Sequence, residues 1–374
     1  MAQETTAFYA FGVPLYLGLM GLEARRARQR SRPSATLPES IGNLSAGLGT
    51  VVIGLFLGPA LIALYGFGLS HLALVHWPGG AWQTWLLALV LADFGHYWHH
   101  RLDHRVAWCW AVHGVHHQPE QMNFSVAMRH AWFSDLYSFP FYIPLVLAGV
   151  PPEVFFVATT VLSFHALITH TELYDFPSLG FLVTPRSHTL HHAKNAPYLD
   201  RNFGAMFCVW DRLFGTQVDF DRARPPQYGT LRGYETHDGV RSQWVLWRDL
   251  FELLGQARSA RERLRVFFGR PGSTLPHANL RAVRTPLASE RLGRGTKLYV
   301  LLQFGLTLAF ALLVCLPRES SSWSFKLVSG LALLTSLWTL GGLLDGRRRA
   351  WLFEAARLGL SVGGMATVFW LERR

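Results

Sequence analysis

His100-Arg-Leu-Asp-His104, His113-Gly-Val-His116-His117 and His188-Thr-Leu-His191-His192 are the stretches that decide how this chain reads. Thirteen of its 17 histidines fall between His96 and His192, about a quarter of the 374 residues. On a helix, positions i, i+3 and i+4 share one face, so His113, His116 and His117 are expected to converge on a single point. His100 and His104 do the same at i, i+4, and His188, His191 and His192 repeat the first pattern. Eight imidazoles supply four to each of two metal ions. A packed core does not call for such an arrangement, and unpaired imidazoles beside a membrane are costly unless a metal takes them up.

An all-imidazole shell suits Zn, Cu, Fe or Ni. Compact zinc sites are usually closed by four ligands, whereas so many histidines near apolar segments suggest a two-metal centre facing a lipid. Two Fe ions are the expected cofactor if the task is oxygen activation, because iron cycles through the oxidation states that breaking a C–H bond needs. Zn is a possible substitute, since it binds such ligands more tightly than ferrous iron. Hydrogen removal followed by hydroxyl rebound gives an alcohol, and a second hydrogen loss gives an alkene. The rival readings are a histidine-rich membrane metal transporter and a non-catalytic zinc-binding relative. Transporters place ligands near the bilayer midplane, whereas these groups adjoin basic and turn-rich segments.

Half of the chain is hydrophobic and its mean hydropathy is +0.18, too apolar for an ordinary soluble enzyme. Segments near the length of a bilayer crossing are Thr6–Leu22, Leu44–Phe67, Ala81–Tyr97, Ala131–Val150, Val154–Thr169, Leu298–Leu316, Trp323–Leu344 and Trp351–Leu371. Some are short enough to enter one leaflet and return. The first is followed by Arg25, Arg26, Arg28, Arg30 and Arg32, the reverse of a secretory signal, so an uncleaved anchor is expected with Glu23–Ile41 in the cytoplasm. The histidines then lie on the cytosolic face, and Pro151-Pro152 divides a hairpin. The expected location is a multi-pass integral membrane protein, of a bacterial inner membrane.

The net charge of +11 has its source in membrane-flanking loops and in Asp221–Lys297, with 15 basic against 7 acidic residues. There Trp244, Trp247, Leu250, Phe251 and Leu254 alternate with Arg248, Arg258, Arg261 and Arg265, up to Pro271-Gly272. This is an amphipathic helix, either on an anionic lipid surface or packed on the catalytic domain, and no nucleic-acid partner is expected. Cys109, Cys208 and Cys315 form neither a CxxC pair nor a disulfide framework.

His71, His76, His237 and His277 read as isolated loop residues, and His130 and His165 as ordinary packed ones. His99 points about 100° away from His100 around a helix. His96 lies one turn before His100 on the ligand face, as a hydrogen-bonding neighbour or else a further ligand. Two divalent ions on neutral ligands need nearby carboxylates. Asp93, Asp103, Glu172, Asp200 and Asp211 are the candidates, with Glu172 and Asp211 ahead. Tyr97, Trp98, Trp108, Trp110, Phe124, Trp132 and Phe133 flank the histidines as anchors or as walls of an apolar route. Arg129 either positions a lipid headgroup or pairs with an inner carboxylate.

From Asp93 to Thr216 the chain resembles the fatty acid hydroxylase/sterol desaturase superfamily of membrane di-iron enzymes. The resemblance runs through Asp93-Phe-Gly-His-Tyr-Trp-His-His-Arg101, Trp110-Ala-Val-His-Gly-Val-His-His117 and Thr184-Pro-Arg-Ser-His-Thr-Leu-His-His192. Asn123-Phe-Ser-Val-Ala-Met-Arg129, His170-Thr-Glu172, Asp200-Arg-Asn202 and Trp210-Asp-Arg-Leu-Phe-Gly-Thr216 look most like its alkylglycerol monooxygenase-like branch. At two polar positions of that branch, a Glu and a Tyr, this chain has Arg105 and Phe203.

The resemblance implies that His100, His104, His113, His116, His117, His188, His191 and His192 bind two irons, with His170 as a ninth ligand. Asn123, Arg129, Glu172 and Asp211 are the expected cofactor-binding residues around them. It implies an all-α integral membrane helical bundle with a cytosolic histidine-rich di-metal cap, acting with O2 on a sterol, fatty acyl or ether lipid by hydroxylation or desaturation. The electron donor is external and unknown, either a redox partner protein or a soluble reductant such as a pterin. The expected division is 1–92 N-terminal membrane helices, 93–217 catalytic domain, 218–297 basic amphipathic segment and 298–374 C-terminal membrane helices.

Overall fold

The computed structural model describes residues 2–31, 35–176, 179–233, 236–272, 292–315 and 322–360. Within them the chain is helical, and the only strand-like pairing is an isolated bridge between Leu182 and Phe207. Helix α1 (Ala2–Gln29) is followed by α2 (Leu37–Leu72), which opens with a capping box. The Thr36 amide donates to Glu39 Oε2 at 2.7 Å, while the Glu39 amide donates to Thr36 Oγ1, so two otherwise unpaired helix-end N–H groups are satisfied. Its 36 residues span about 54 Å, well beyond the ~30 Å apolar thickness of a bilayer. The surplus is used at its start, where Ile41, Asn43, Ser45, Ala46 and Leu48 are buried, whereas Ile62, Phe67 and Leu72 are exposed further along.

Next come α3 (Trp82–Asp103), α4 (Ala107–His113) and α5 (Phe124–Ala127). Ala131–Val150 is not one crossing. It breaks into α6 (Ser134–Ser138), a 3-10 turn (Phe139–Tyr142) and α7 (Ile143–Leu147). Pro140 and Pro144 each start a new short element, because proline removes an N–H and clashes with the preceding turn. The pieces lie along α2 and α3, with Leu145 fully buried against Ala88 and Ala92. Helix α8 (Pro152–Thr169) packs on α3 through Val154, Ala158 and Leu162.

Beyond it are α9 (Pro185–His191), α10 (Val209–Leu213), α11 (Gly239–Ser242), α12 (Val245–Gln256), α13 (Ala260–Phe268), α14 (Arg294–Cys315) and α15 (Trp323–Leu344), with a further helix over 350–360. Among the described residues four helices, α2, α8, α14 and α15, are long and apolar enough to cross a membrane. Helices α14 and α15 close on α2 through Val300, Phe304, Leu337, Leu340, Leu48 and Val52, so segments far apart in sequence share one bundle. Helix α12 packs Val245, Leu246 and Leu250 against Ala111 of α4 and leaves Trp244 and Phe251 exposed. His277 and parts of two expected segments, 273–291 and 361–371, lie outside the described residues.

The start of α2 also holds the loop that follows α5. A Cβ at Gly47 would overlap the Met128 carbonyl and one at Gly49 the Trp132 indole, so only glycine permits this approach. The Trp132 indole N–H donates to the Ala46 carbonyl at 2.9 Å across the same contact.

Candidate metal centre

Helix α3 delivers His100 near its last turn and His104 at its cap, α4 delivers His113, and the turn after it delivers His116 and His117. Helix α8 ends at His170, and α9, capped by Thr184, delivers His188, His191 and His192. All nine histidines meet in two groups: His100, His104, His113, His117 and His191 in one, His116, His170, His188 and His192 in the other. Within each group one atom per residue lies within 4.8 Å of all the others.

The split corrects the expectation that each His-x-x-His-His run closes on a single point. The i, i+4 pairs His113/His117 and His188/His192 stay together, while His116 and His191 cross to the opposite group. A residue at i+3 is rotated about 60° from the i position, enough to aim at a second centre beside the first.

The nitrogens that converge are Nε2 atoms. His170 Nε2 lies 3.1 Å from His116 Nε2 and 3.0 Å from His188 Nε2, which lies 3.2 Å from His192 Nε2. His113 and His117 bring their Nε2 atoms to 3.2 Å. Ligands 2.0–2.1 Å from a common ion keep roughly 2.9 Å apart at right angles and 3.4 Å at tetrahedral angles. The Nε2 atoms of His100, His104 and His191 are buried with no hydrogen-bond partner, the donor set a metal would satisfy.

Main-chain carbonyls fix the other edge of four rings. The Nδ1 atoms of His100, His116, His170 and His191 face the carbonyls of Phe203 (2.9 Å), Arg129 (3.1 Å), Ala166 (2.6 Å) and Arg201 (2.9 Å). A carbonyl there holds the proton on Nδ1 and leaves the Nε2 lone pair for a metal. Sequence reasoning missed these partners, because a carbonyl carries no residue signature.

The loop that supplies two of them is itself tied down. Asp200 and Asn202 adopt left-handed backbone (φ +57° and +55°), which Asp and Asn tolerate best among non-glycine residues. The Asn202 amide donates to the Ser187 and Val218 carbonyls at 3.0 Å each. Asp211 accepts from the Phe203 and Gly204 amides at 2.8 Å and from Thr216 Oγ1 at 2.7 Å. Asp93 accepts from the Met206 amide and the Trp210 indole at 2.8 Å each.

Among the described residues, the four expected cofactor-binding residues have side-chain hydrogen-bond partners outside both groups. Asp211 acts through the 203–204 backbone, and Asn123 caps α5 by accepting from the Ser125 amide at 3.0 Å. Glu172 accepts from the Tyr228 hydroxyl at 2.6 Å. Arg129 is buried and donates to the Val115 carbonyl (2.9 Å), Asn43 Oδ1 (3.1 Å) and Gln118 Oε1 (2.6 Å), while its own carbonyl faces His116. The carboxylate beside a ring is Asp103, 3.5 Å from His113 Nδ1 and 3.7 Å from His99 Nε2, with Asp200 3.8 Å from His104 Nδ1. His165 lies outside both groups, and its Nε2 pairs with the Val183 carbonyl at 2.9 Å.

Residues 85–216 match the family model for fatty acid hydroxylase. The chain carries a fatty acid hydroxylase domain. Over 372 residues, 95% of this chain and 82% of the relative, it is 26% identical to an alkylglycerol monooxygenase of Homo sapiens. Over 150 residues, 39% of this chain and 45% of the relative, it is 34% identical to the ornithine lipid hydroxylase OlsE of Rhizobium tropici. A cholesterol 25-hydroxylase of Homo sapiens is 28% identical over 142 residues, 35% of this chain and 50% of the relative. No solved structure matches the chain. These relationships make the protein an oxidoreductase.

In the hydroxylase domain, burial and then the neighbouring imidazoles hold His113, His116, His117, His188 and His192 well below the ordinary imidazole range. Burial likewise lowers His170 and His191 to about 4. All are neutral at pH 7, the form that binds metal. Between the unfolded value of about 6.5 and these depressed values, the unfolded chain binds more protons than the folded one. Stability from the neutral rings is therefore full above about pH 6.5 and is lost as pH falls through about 4. Metal-free protein in detergent should melt at progressively lower temperature from pH 7 to 4.5, and a flat profile contradicts this. Asp103→Asn should weaken metal retention by about 10–100-fold, the usual effect of losing an outer carboxylate. Chelator competition measures this, and unchanged affinity would remove Asp103 from the site.

Proposed function

We propose that this protein is an integral-membrane lipid hydroxylase whose two histidine groups hold two iron ions on the cytosolic face and which uses O2. The convergence of nine histidines into two groups, with Nε2 atoms 3.0–3.2 Å apart, carries this reading. The relatives named as lipid hydroxylases support the substrate class. Hydroxylation of a lipid RH consumes O2, two electrons and two protons and yields ROH and water, so a partner protein or soluble reductant must supply the electrons. When bound, the metal pair supplies oxygen activation for attack on an unactivated C–H.

The chain's own residues supply orientation and exclusion of water. The carbonyls of Phe203, Arg129, Ala166 and Arg201 aim four rings, and holding them in advance is what a rigid reaction centre requires. The Phe203 ring is fully buried and lies 5.4–5.8 Å from the His100, His104 and His191 rings, closing that side to water. The cytosolic assignment is supported by the arginine run Arg25–Arg32. The start of α2 lies on the same side as the histidine end of α3, through the Asn43 Nδ2–Ser125 Oγ bond at 2.8 Å and the Arg129 contacts. The catalytic unit in this reading is residues 93–217.

The test is comparative lipid mass spectrometry of aerobic, iron-replete cells expressing wild type or His191→Ala together with a working electron donor. A lipid that gains one oxygen atom only with wild type supports the reading and names the substrate, and loss of two hydrogens instead would make the enzyme a desaturase. No lipid difference counts against catalysis on lipid.

A further inference from the structure

The face that α12 and α13 turn away from α4 takes no part in the proposed reaction. On α13, Arg261, Leu264, Arg265 and Phe268 recur at i, i+3, i+4 and i+7, and all four are exposed, Leu264 by 60% and Phe268 by 59%. Val266, on the opposite side, is buried with Leu246 and Leu250. On α12, Trp244, Arg248 and Phe251 line an exposed side in the same way, behind the buried Val245, Leu246 and Leu250. Among the described residues the side chains of Arg258, Arg261, Arg263 and Arg265 make no ion pair. Large apolar side chains set among unpaired arginines on one face mark a binding surface rather than a plain solvated one.

Their position is that of the bilayer surface. Asp345, which caps the end of the membrane-length α15, accepts from the His237 amide at 2.8 Å and from Thr236 Oγ1 at 2.7 Å, so α11 starts where α15 ends. A Cβ at Gly239 would lie 2.6 Å from the Ala46 nitrogen, about two turns before α2 first becomes exposed at Gly54. Helix α12 follows directly, and the Trp244 ring lies 6.1 Å from that of Phe133, beside the folded-back α6 with its exposed Leu136. The same two helices clasp α4. A Cβ at Gly114 would overlap Leu246, and the Gly269 carbonyl accepts from the Ala107 amide at 2.8 Å. An acidic protein would answer the arginines and leave the rings in water. A lipid interface takes both, with phosphates for the guanidiniums and the acyl boundary for the rings.

We propose that the outer face of α12 and α13 lies on the bilayer and binds anionic phospholipid. Trp244, Phe251, Leu264 and Phe268 sit at the acyl boundary and the arginines on headgroup phosphates. Anionic lipid then seats α4, the helix that carries His113, against the membrane. This rests on membrane integration in the proposed reading and not on metal binding.

The experiment is hydrogen–deuterium exchange, read by mass spectrometry, on the full chain in nanodiscs of phosphatidylcholine alone or with phosphatidylglycerol added. The amides of α13 should exchange about tenfold more slowly in the anionic discs, the scale of two arginines held at a charged surface. High salt should remove most of that difference. With Arg258→Gln, Arg261→Gln, Arg263→Gln and Arg265→Gln together the ratio should fall to about twofold or less, whereas Arg→Lys at the same positions should keep it. If the quadruple variant does not fold, Arg261→Gln with Arg265→Gln should still lose part of the ratio. Leu264→Gln with Phe268→Gln should speed exchange in both kinds of disc. Equal rates in the two discs, a ratio that survives glutamine, or protection that appears only when an acidic electron-transfer protein is added to neutral discs overturns the proposal. Unprotected amides along α2 and α14 would overturn membrane integration itself, and the same spectra report them separately.

Discussion

His188→Ala is expected to leave the protein with one metal ion in place of two and to lower turnover by more than about 100-fold, beyond the loss usual for an outer partner. Its Nε2 stands between those of His170 and His192, at 3.0 and 3.2 Å, so its removal opens the middle of one group rather than its edge. His191→Ala should empty the other group, since His191 is its one member from the last histidine run. Elemental analysis of purified protein decides the matter together with oxygen consumption. His165→Ala is the control: it loses one carbonyl contact and should keep both ions. Two ions retained in His188→Ala would contradict the grouping itself.

Arg129→Met should destabilise the protein by about 3 kcal/mol and lower its metal content. Burial pushes this guanidinium down to about 10, so it still carries its charge at pH 7. It supplies donors to Val115, Asn43 and Gln118 at once, joining α2 to the turn that carries His116 and His117. Each buried acceptor left bare costs about 1–3 kcal/mol, offset in part by relief of a desolvated charge. Lysine cannot reach all three acceptors, so Arg129→Lys should recover only part of the loss. Thermal unfolding in detergent and metal analysis measure the effect. A headgroup anchor would behave differently, with KM raised and metal content intact.

The histidine cluster was legible in the residues because histidine spacing survives translation into a helix: His100 and His104 need only α3 to be a helix. Which histidine joins which group was not legible. His116 and His191 choose sides according to where α4, α8 and α9 dock, a tertiary fact that no local period contains. The partners of the carboxylates were not legible for a similar reason. Glu172 sits two residues from His170 in sequence and turns to Tyr228, while Asp103 sits ten residues from His113 and reaches its ring. Apolar content placed α2, α8, α14 and α15, whereas Ala131–Val150 has the composition of a crossing but the prolines of a chain folded back on itself. That α14 and α15 return to α2 follows from packing across some 250 residues of sequence, beyond any window read along the chain.

Each group draws ligands from both ends of the domain, His100 with His191 and His116 with His192, and three loop contacts wait on Asp211. Neither group can therefore be complete while the chain is still being synthesised through its first histidine runs. The groups lack members until α9 is made, and the loop behind them lacks its anchor until the segment around Trp210 and Asp211 follows. In the proposed reading, metal loading and closure of the last loop would then fall in one late step.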